Sequence, residues 1–126
     1  YANIIWTGKV NKMCITIYHN TRWGKSRKTL QLLRDNGFEP NIIEYLKYPP
    51  NVKELKEICK KLDLTANDII RKNEKEYKQL NISRHDSNDD IINEIVRHPR
   101  LLERPIVIKG EKGIIGRPPE NVLILL

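Results

Sequence analysis

Cysteine is scarce in this sequence, and its two cysteines stand apart. Among 126 residues only Cys14 and Cys59 carry a thiol, and neither belongs to a C-x-x-C pair or to a spacing typical of metal ligands. A disulfide framework needs several paired cysteines, and a structural zinc site needs a cluster of Cys and His. The sequence therefore predicts no disulfide scaffold, no metal site and no bound cofactor.

Long hydrophobic runs are also missing. The longest, such as Val122 to Leu126, are far shorter than the roughly 20 residues of a membrane-spanning helix. The stretch Ile4-Ile5-Trp6 is too short for the apolar region of a secretory signal. With 39% hydrophobic and 31% charged residues, the composition is typical of a soluble globular protein. We therefore expect a cytoplasmic monomer without a membrane partner.

Aromatic residues are few, although the formal net charge is +7. Lysines such as Lys53, Lys56 and Lys60 alternate with Glu54 and Glu57, which is typical of a solvated helix face. No aromatic residues interleave with basic ones in the way that stacks nucleobases. We therefore expect no specific nucleic-acid partner and only weak, non-specific binding of polyanions.

The remaining pattern is that of one α/β domain. We interpret residues 1–12 as an N-terminal extension, because the first predicted strand begins directly after Met13. Residues 13–126 have a length that suits a single domain with one hydrophobic core. Alternating β-branched residues predict a strand over Cys14–Tyr18, and helical spacing predicts a helix from about Gly24 to Asn36. A second strand over Asn41–Tyr45 completes a βαβ unit with parallel strands.

The middle of the chain is predicted to be helical, and its end to form a hairpin and a last helix. Capping residues and apolar spacing indicate helices after Asn51, at Thr65–Asp68 and over Asp89–Arg97. Cys59 is on the apolar face of the first of these, so we interpret it as a small buried hydrophobe rather than a resolving thiol. Two further strands, residues 105–108 and 113–115, are joined by residues 109–112, and a final helix begins at Pro118-Pro119.

The junction between the first strand and the first helix is the strongest local motif. Residues 15–27 form an apolar strand, a tight polar loop and the opening of a helix. At such a junction, main-chain N–H groups and the positive helix end bind anions and lower the pKa of a thiol. Trp23 stands where the attacking sulfur of a thiol enzyme belongs, and an indole cannot form a thiolate.

Over residues 15–126 the sequence resembles the ArsC family of arsenate reductases. The family loop reads His-Asn-Pro-x-Cys-x-x-Ser-Arg, and this chain has Thr21 in place of the proline and Trp23 in place of the cysteine. The resemblance implies a thioredoxin-like fold: a four-stranded mixed sheet in the order β-α-β, helical insertion, β-β-α. The matching motifs are His19-Asn20, Ser26-Arg27, Glu44-Tyr45-Leu46, Pro49-Pro50, Arg71-Lys72-Asn73, His98-Pro99, Arg104-Pro105-Ile106-Val107 and Arg117-Pro118.

The resemblance also implies a chemistry. In this family the cysteine attacks arsenate, and a thiol of glutathione or glutaredoxin then resolves the arsenic–sulfur adduct. Three arginines hold the oxyanion, and their counterparts here are Arg71, Arg104 and Arg117. Guanidinium groups suit a tetrahedral anion, since they donate in a planar fork. For each arginine alone, a surface charge or a structural salt bridge is the alternative.

Other loop residues have two interpretations each. Ser26 either donates to an anion or caps the helix. His19, Asn20 and Pro105 are expected to shape the loop, and a packed, hydrogen-bonded histidine is the alternative for His19. The resemblance implies a cis bond between Arg104 and Pro105, facing the loop.

The sequence therefore predicts an ArsC-family protein without reductase activity, because neither cysteine takes the place of Trp23. Cys14 is at the far end of the first strand, and Cys59 is on the core face of another helix. An alternative is a regulatory, protein-binding module like the related regulator Spx, which binds RNA polymerase. Its Cys-x-x-Cys switch reads Trp23-Gly24-Lys25-Ser26 here, so both switch cysteines are absent. In that case Trp23 is either an exposed anchor or packed against its own helix.

Overall fold

The computed structural model describes residues 14–126 and divides them into two compact units. Residues 14–43 and Arg104–Leu126 form one, which we call the sheet unit, and Glu44–Glu103 form the other, the helical unit. The predicted extension over residues 1–12 is outside the described residues. The interpretation of residues 13–126 as a single domain stays a prediction.

The sheet unit contains a four-stranded sheet in the order β2-β1-β3-β4. Strand β1 (Ile15–His19) is an interior strand and pairs antiparallel with β3 (Ile106–Lys109), with Ile17 opposite Val107. Strand β3 also pairs antiparallel with β4 (Lys112–Ile115), and β2 (Asn41–Glu44) is at the other edge. The predicted four-stranded mixed sheet is confirmed.

Helix α1 (Gly24–Asp35) follows β1 after a short loop, as predicted. Asn36 is its C-cap and is followed by Gly37, whose φ of 88° is readily adopted only by a residue without a Cβ. Alternation along β1 and helical spacing in α1 direct apolar side chains to one cluster, and burying each contributes about 1.5–3 kcal/mol. Its fully buried members are Ile15, Ile17, Leu33, Val107 and Val122.

Two details at the end of the chain differ from the prediction. The hairpin loop is shorter, because Lys109 and Lys112 pair with each other and leave only Gly110 and Glu111 as the turn. The last helix is a 3₁₀-helix over Pro119–Leu125 rather than an α-helix. Its backbone hydrogen bonds span three residues, as from the N–H of Asn121 to the carbonyl of Pro118 (3.0 Å) and from the N–H of Leu126 to that of Leu123 (3.2 Å).

The helical unit consists of α2 (Val52–Leu62), α3 (Ala66–Ile69), α4 (Lys75–Gln79), α5 (Asn88–Arg97) and a 3₁₀ turn, Pro99–Leu101. Asn51 caps α2 by accepting from the N–H of Glu54, and Thr65 with Asp68 forms a reciprocal capping box on α3. Helices α2 and α3 both contact α5. The predicted helices are confirmed, whereas α4 was not predicted. Buried apolar residues of α2, α3 and α5 are Leu55, Ile58, Cys59, Ala66, Ile69, Ile91, Ile92 and Ile95.

Across residues 14–126, no helix is long and apolar enough to cross a membrane.

Candidate functional site at the β1–α1 junction

The loop between β1 and α1 is held by hydrogen bonds of its own residues. The carbonyl of Asn20 accepts from the N–H of Trp23 (3.1 Å), and the Asn20 side chain accepts from the N–H of Arg22 (3.0 Å). The guanidinium of Arg27 donates to the carbonyl of Thr21 (2.9 Å). A hydrogen bond from a backbone N–H to the side chain of an Asn two residues earlier stabilises a tight turn. Asn20 thus makes two hydrogen bonds within the loop, and its role in shaping a functional loop stays a prediction.

Ser26 and His19 are the buried polar pair beneath this loop. His19 Nδ1 and Ser26 Oγ are 2.6 Å apart, and the N–H of Asn20 donates to the same oxygen at 3.1 Å. Both side chains are buried, with 4% and 0% of their surface exposed. His19 is thus a packed, hydrogen-bonded histidine that ties the end of β1 to the first turn of α1. Donation from Ser26 to an anion stays a prediction.

Trp23 occupies the N-cap position of α1. Its backbone is extended (φ −103°, ψ 127°), and its side chain makes no capping hydrogen bond. An indole has only an N–H donor, so it cannot accept from the helix N–H groups as Ser or Asp would. The predicted helix-capping alternative for Ser26 does not apply in the N-cap sense, because Ser26 is the third helical residue rather than the cap.

Arg104 meets Trp23 across the site. The guanidinium carbon is 3.7 Å from the centroid of the indole, a distance typical of a cation–π stack. Arg104 is 4% exposed, whereas Trp23 is 47% exposed. The bond between Arg104 and Pro105 is cis, which confirms what the resemblance implies, and the bond between Arg117 and Pro118 is cis as well. The fold therefore brings Arg104 to the loop, and the indole covers part of its guanidinium.

Gly116 is a site residue that sequence reasoning missed. A Cβ at this position would lie 2.8 Å from Thr29 Oγ1 and 3.0 Å from Pro105 Cγ, closer than carbon atoms normally approach. Its N–H donates to the carbonyl of Pro105 (2.8 Å). Because Gly116 has no side chain, the backbone between β4 and Arg117 packs closely against both α1 and Pro105. Its position directly before Arg117-Pro118 was the available signal.

Arg71 belongs to the helical unit. Its N–H donates to the carbonyl of Leu101 (2.6 Å), beside the antiparallel bridge between Ile70 and Leu102. Its guanidinium is 3.8 Å from a carboxylate oxygen of Glu74 and 3.9 Å from one of Glu103. Arg71 therefore takes part in ion pairs, which was the alternative weighed for it. Convergence of Arg71, Arg104 and Arg117 on one anion stays a prediction.

The two cysteines are in different environments, both unlike that of position 23. Cys59 is buried on α2, as predicted, and burial raises the pKa of its thiol, with the negative charge of Asp68 adding to that effect. Cys14 is exposed and precedes β1, at the opposite end of this strand from the loop. Each strand residue advances about 3.3 Å, so β1 alone separates it from the loop by more than a contact distance.

No group of three or more His, Cys, Asp or Glu in residues 14–126 is arranged to hold a metal ion.

Comparison with known proteins agrees with this architecture. The model of the ArsC family matches residues 18–125. The chain is 44% identical over 116 residues to the arsenate reductase of Haemophilus influenzae, covering 90% of this chain and 100% of that protein. It is 41% identical over 114 residues to the arsenate reductase of Neisseria meningitidis serogroup A, covering 89% and 97% respectively.

A solved structure of similar fold is the arsenate reductase from Vibrio cholerae. It matches with a TM-score of 0.87 and 41% identity, covering 90% of this chain and 98% of that one. The chain therefore belongs to the ArsC family and has the thioredoxin-like fold of arsenate reductases, as the resemblance implies. It is an arsenate reductase-like protein.

Proposed function

We propose that this chain keeps the oxyanion-binding scaffold of an arsenate reductase and lacks its thiol chemistry. One observation supports this most strongly: the N-cap position of α1, where the family has its nucleophile, holds the indole of Trp23 stacked on Arg104. Reduction through a covalent adduct needs a sulfur that attacks the substrate and is then released by a second thiol. An indole provides neither step.

The other nucleophiles of the described chain do not replace that sulfur. Burial and the charge of Asp68 raise the pKa of Cys59, which disfavours the reactive thiolate. Cys14 precedes β1, away from the loop. Ser26 is fully buried and hydrogen-bonded to His19, and a serine has no disulfide chemistry.

An arsenate-like oxyanion is the ligand that the retained residues fit. Arg104 is at the loop, and Arg71 and Arg117 are its proposed partners from the family pattern. Glutathione or glutaredoxin is the thiol donor that an active family member would use in the cytoplasm. Because the indole covers part of Arg104, we expect weak binding of arsenate, sulfate or phosphate by the unmodified chain.

Restoring the sulfur tests this proposal. In Trp23→Cys the new thiol follows exposed Arg22 and precedes exposed Lys25, and positive charge there lowers the pKa of a thiol. We expect arsenate reduction coupled to glutathione and glutaredoxin to appear, and to improve when Thr21→Pro is added to stiffen the loop. The matched control, Trp23→Ser, has nearly the same size without a thiolate and should stay inactive.

A Trp23→Cys thiol that iodoacetamide does not modify at neutral pH would contradict the proposal, because it would mean that the scaffold no longer activates a nucleophile. Equal reduction by the Cys and Ser variants would contradict it as well, since the activity would then not depend on sulfur.

A second candidate function is a regulatory, protein-binding module like Spx, without enzymatic activity. The exposure of Trp23, 47%, favours it, because tryptophan and arginine are enriched among the residues that dominate binding at protein interfaces. Such a module would not gain arsenate reduction in Trp23→Cys, so the same variant distinguishes the two functions.

A further inference from the structure

The positive charge of the protein is concentrated in one of its two units. In the helical unit, twelve Lys and Arg residues are balanced by twelve Asp and Glu residues. The described part of the sheet unit has nine Lys and Arg against four Asp and Glu. The scattered lysines of α2 thus belong to a unit without net charge. The net positive charge of the described residues is in the sheet unit.

Within the sheet unit, the excess charge surrounds the start of α1. No Asp or Glu occurs from residue 14 to residue 34. This segment has five cations, and the four nearest the start of α1, which are Arg22, Lys25, Arg27 and Lys28, are all exposed; we call these four the basic face. Trp23 lies among them in the chain and is itself 47% exposed, so at this loop, contrary to the expectation from the sequence, an aromatic residue does lie among basic ones.

The stack on Arg104 determines how Trp23 is presented. Because the guanidinium carbon is 3.7 Å from the ring centroid, the indole lies flat on its own protein rather than projecting as a knob. A projecting ring would suit a pocket on a partner protein. A ring lying flat and half-exposed suits a second planar group stacked on it, and the basic face suits a partner with several negative charges.

We propose that this surface binds single-stranded nucleic acid without sequence preference. A nucleobase stacks on the exposed part of Trp23, and the neighbouring phosphates contact the basic face. An acidic protein segment would satisfy the charges but would make no use of the flat indole. The proposal does not depend on arsenate chemistry, so its outcome is independent of whether the chain reduces or binds an oxyanion.

Binding is measured by fluorescence anisotropy with a labelled oligothymidylate of about 12 nucleotides, within the range of typical site sizes. We expect affinity that falls at least about tenfold between roughly 50 and 200 mM salt, because several phosphates are contacted. In a Trp6→Phe background, Trp23 is the one tryptophan of the chain, and its fluorescence should be quenched when a base stacks on it.

Variants separate stacking from charge. Trp23→Leu keeps an apolar side chain but no aromatic ring, and we expect about tenfold weaker binding, whereas Trp23→Phe should bind nearly as well as the unmodified chain. Lys25→Glu with Lys28→Glu should abolish binding. The matched control, Lys53→Glu with Lys60→Glu, makes the same change in net charge on the neutral unit and should leave binding within about twofold. Circular dichroism checks that each variant folds.

Three results would overturn the proposal. Equal affinity of Trp23→Leu and the unmodified chain would mean that no base stacks. Tighter binding of duplex than of single-stranded DNA would reveal a general polyanion-binding surface. Tighter binding of polyglutamate than of either nucleic acid would reveal a surface for acidic proteins. Adenosine monophosphate binding as tightly as the oligonucleotide would reveal a mononucleotide site instead.

Discussion

At the scale of single residues, position 23 departs from the pattern of the ArsC family, whereas the residues that hold the loop match it. His19, Asn20 and Ser26 hold the loop by hydrogen bonds that do not involve the side chain at position 23. The loop can therefore keep its shape although the nucleophile is absent. Trp23 instead contacts Arg104, a residue of the proposed oxyanion site. The residue at position 23 therefore lacks the sulfur of the family pattern and also covers part of the Arg104 guanidinium.

The two remaining thiols should differ strongly in reactivity. At pH 7 to 8 we expect iodoacetamide to modify exposed Cys14 at least about tenfold faster than Cys59, because burial raises the pKa of Cys59 and also blocks access. Since a raised pKa reduces the thiolate fraction below that pKa, the rate at Cys59 should increase as the pH rises. Peptide mass spectrometry over time measures both rates.

Unfolding the protein in guanidinium chloride provides the control, because both thiols should then react at similar rates. Faster modification of Cys59 than of Cys14 in the folded protein would contradict the assignment of Cys59 as a buried core residue.

At the scale of elements, the site depends on a close approach between α1, β4 and the segment that begins β3. Gly116 allows this approach, since a Cβ there would collide with Thr29 of α1 and with Pro105. The hydrogen bond from Gly116 to the carbonyl of Pro105 connects the segments that carry Arg104 and Arg117. Close packing at Gly116 therefore holds together the two segments that contain Arg104 and Arg117, two of the three proposed oxyanion-binding arginines.

Adding a methyl group at Gly116 should disturb this arrangement. We expect Gly116→Ala to lower the free energy of unfolding by about 1–3 kcal/mol, the usual cost of overpacking a tight contact. Urea denaturation followed by circular dichroism measures the change. Thr29→Ala removes two of the three nearest atoms, Oγ1 and Cγ2, and leaves Pro105 Cγ in place, so the double variant should recover part of the loss, which a double-mutant cycle quantifies.

Gly24→Ala is the matched control, because the nearest atom to its Cβ would be the Arg27 side chain at an ordinary 3.7 Å. It should be neutral or stabilising by up to about 1 kcal/mol, as expected for alanine in a helix. If Gly116→Ala were as stable as Gly24→Ala, the result would contradict the close packing described around Gly116.

At the scale of the whole molecule, strong local patterns made most of the fold predictable. Alternation at Ile15 and Ile17, and the stop signal at Asn36-Gly37, place β1 and α1 to within a residue or so. Helix α4 was missed because none of its residues is buried, so it leaves no hydrophobic period in the sequence. The Pro118-Pro119 signal for a helix start does not distinguish 3₁₀ from α geometry.

The candidate site was predictable only where its residues are neighbours in sequence. The loop from His19 to Ser26 is contiguous, and its turn chemistry follows from Asn20. The contact between Trp23 and Arg104 joins residues far apart in the chain. The family resemblance placed Arg104-Pro105 facing the loop, but nothing in the sequence predicted that the indole stacks on the guanidinium. The close approach at Gly116 depends on tertiary packing, which a single sequence does not encode in any local pattern.

The most direct test of the central claim is arsenate reduction by the unmodified chain beside its Cys14→Ser, Cys59→Ser variant, with glutathione and glutaredoxin in excess. Because no thiolate forms at position 23, we predict the same result for both: no reduction above the rate without protein. Reduction by the unmodified chain that the double variant loses would show that Cys14 or Cys59 serves as the nucleophile. Glutaredoxin-dependent reduction that the double variant retains would show that the site needs no cysteine, and either result would contradict our account.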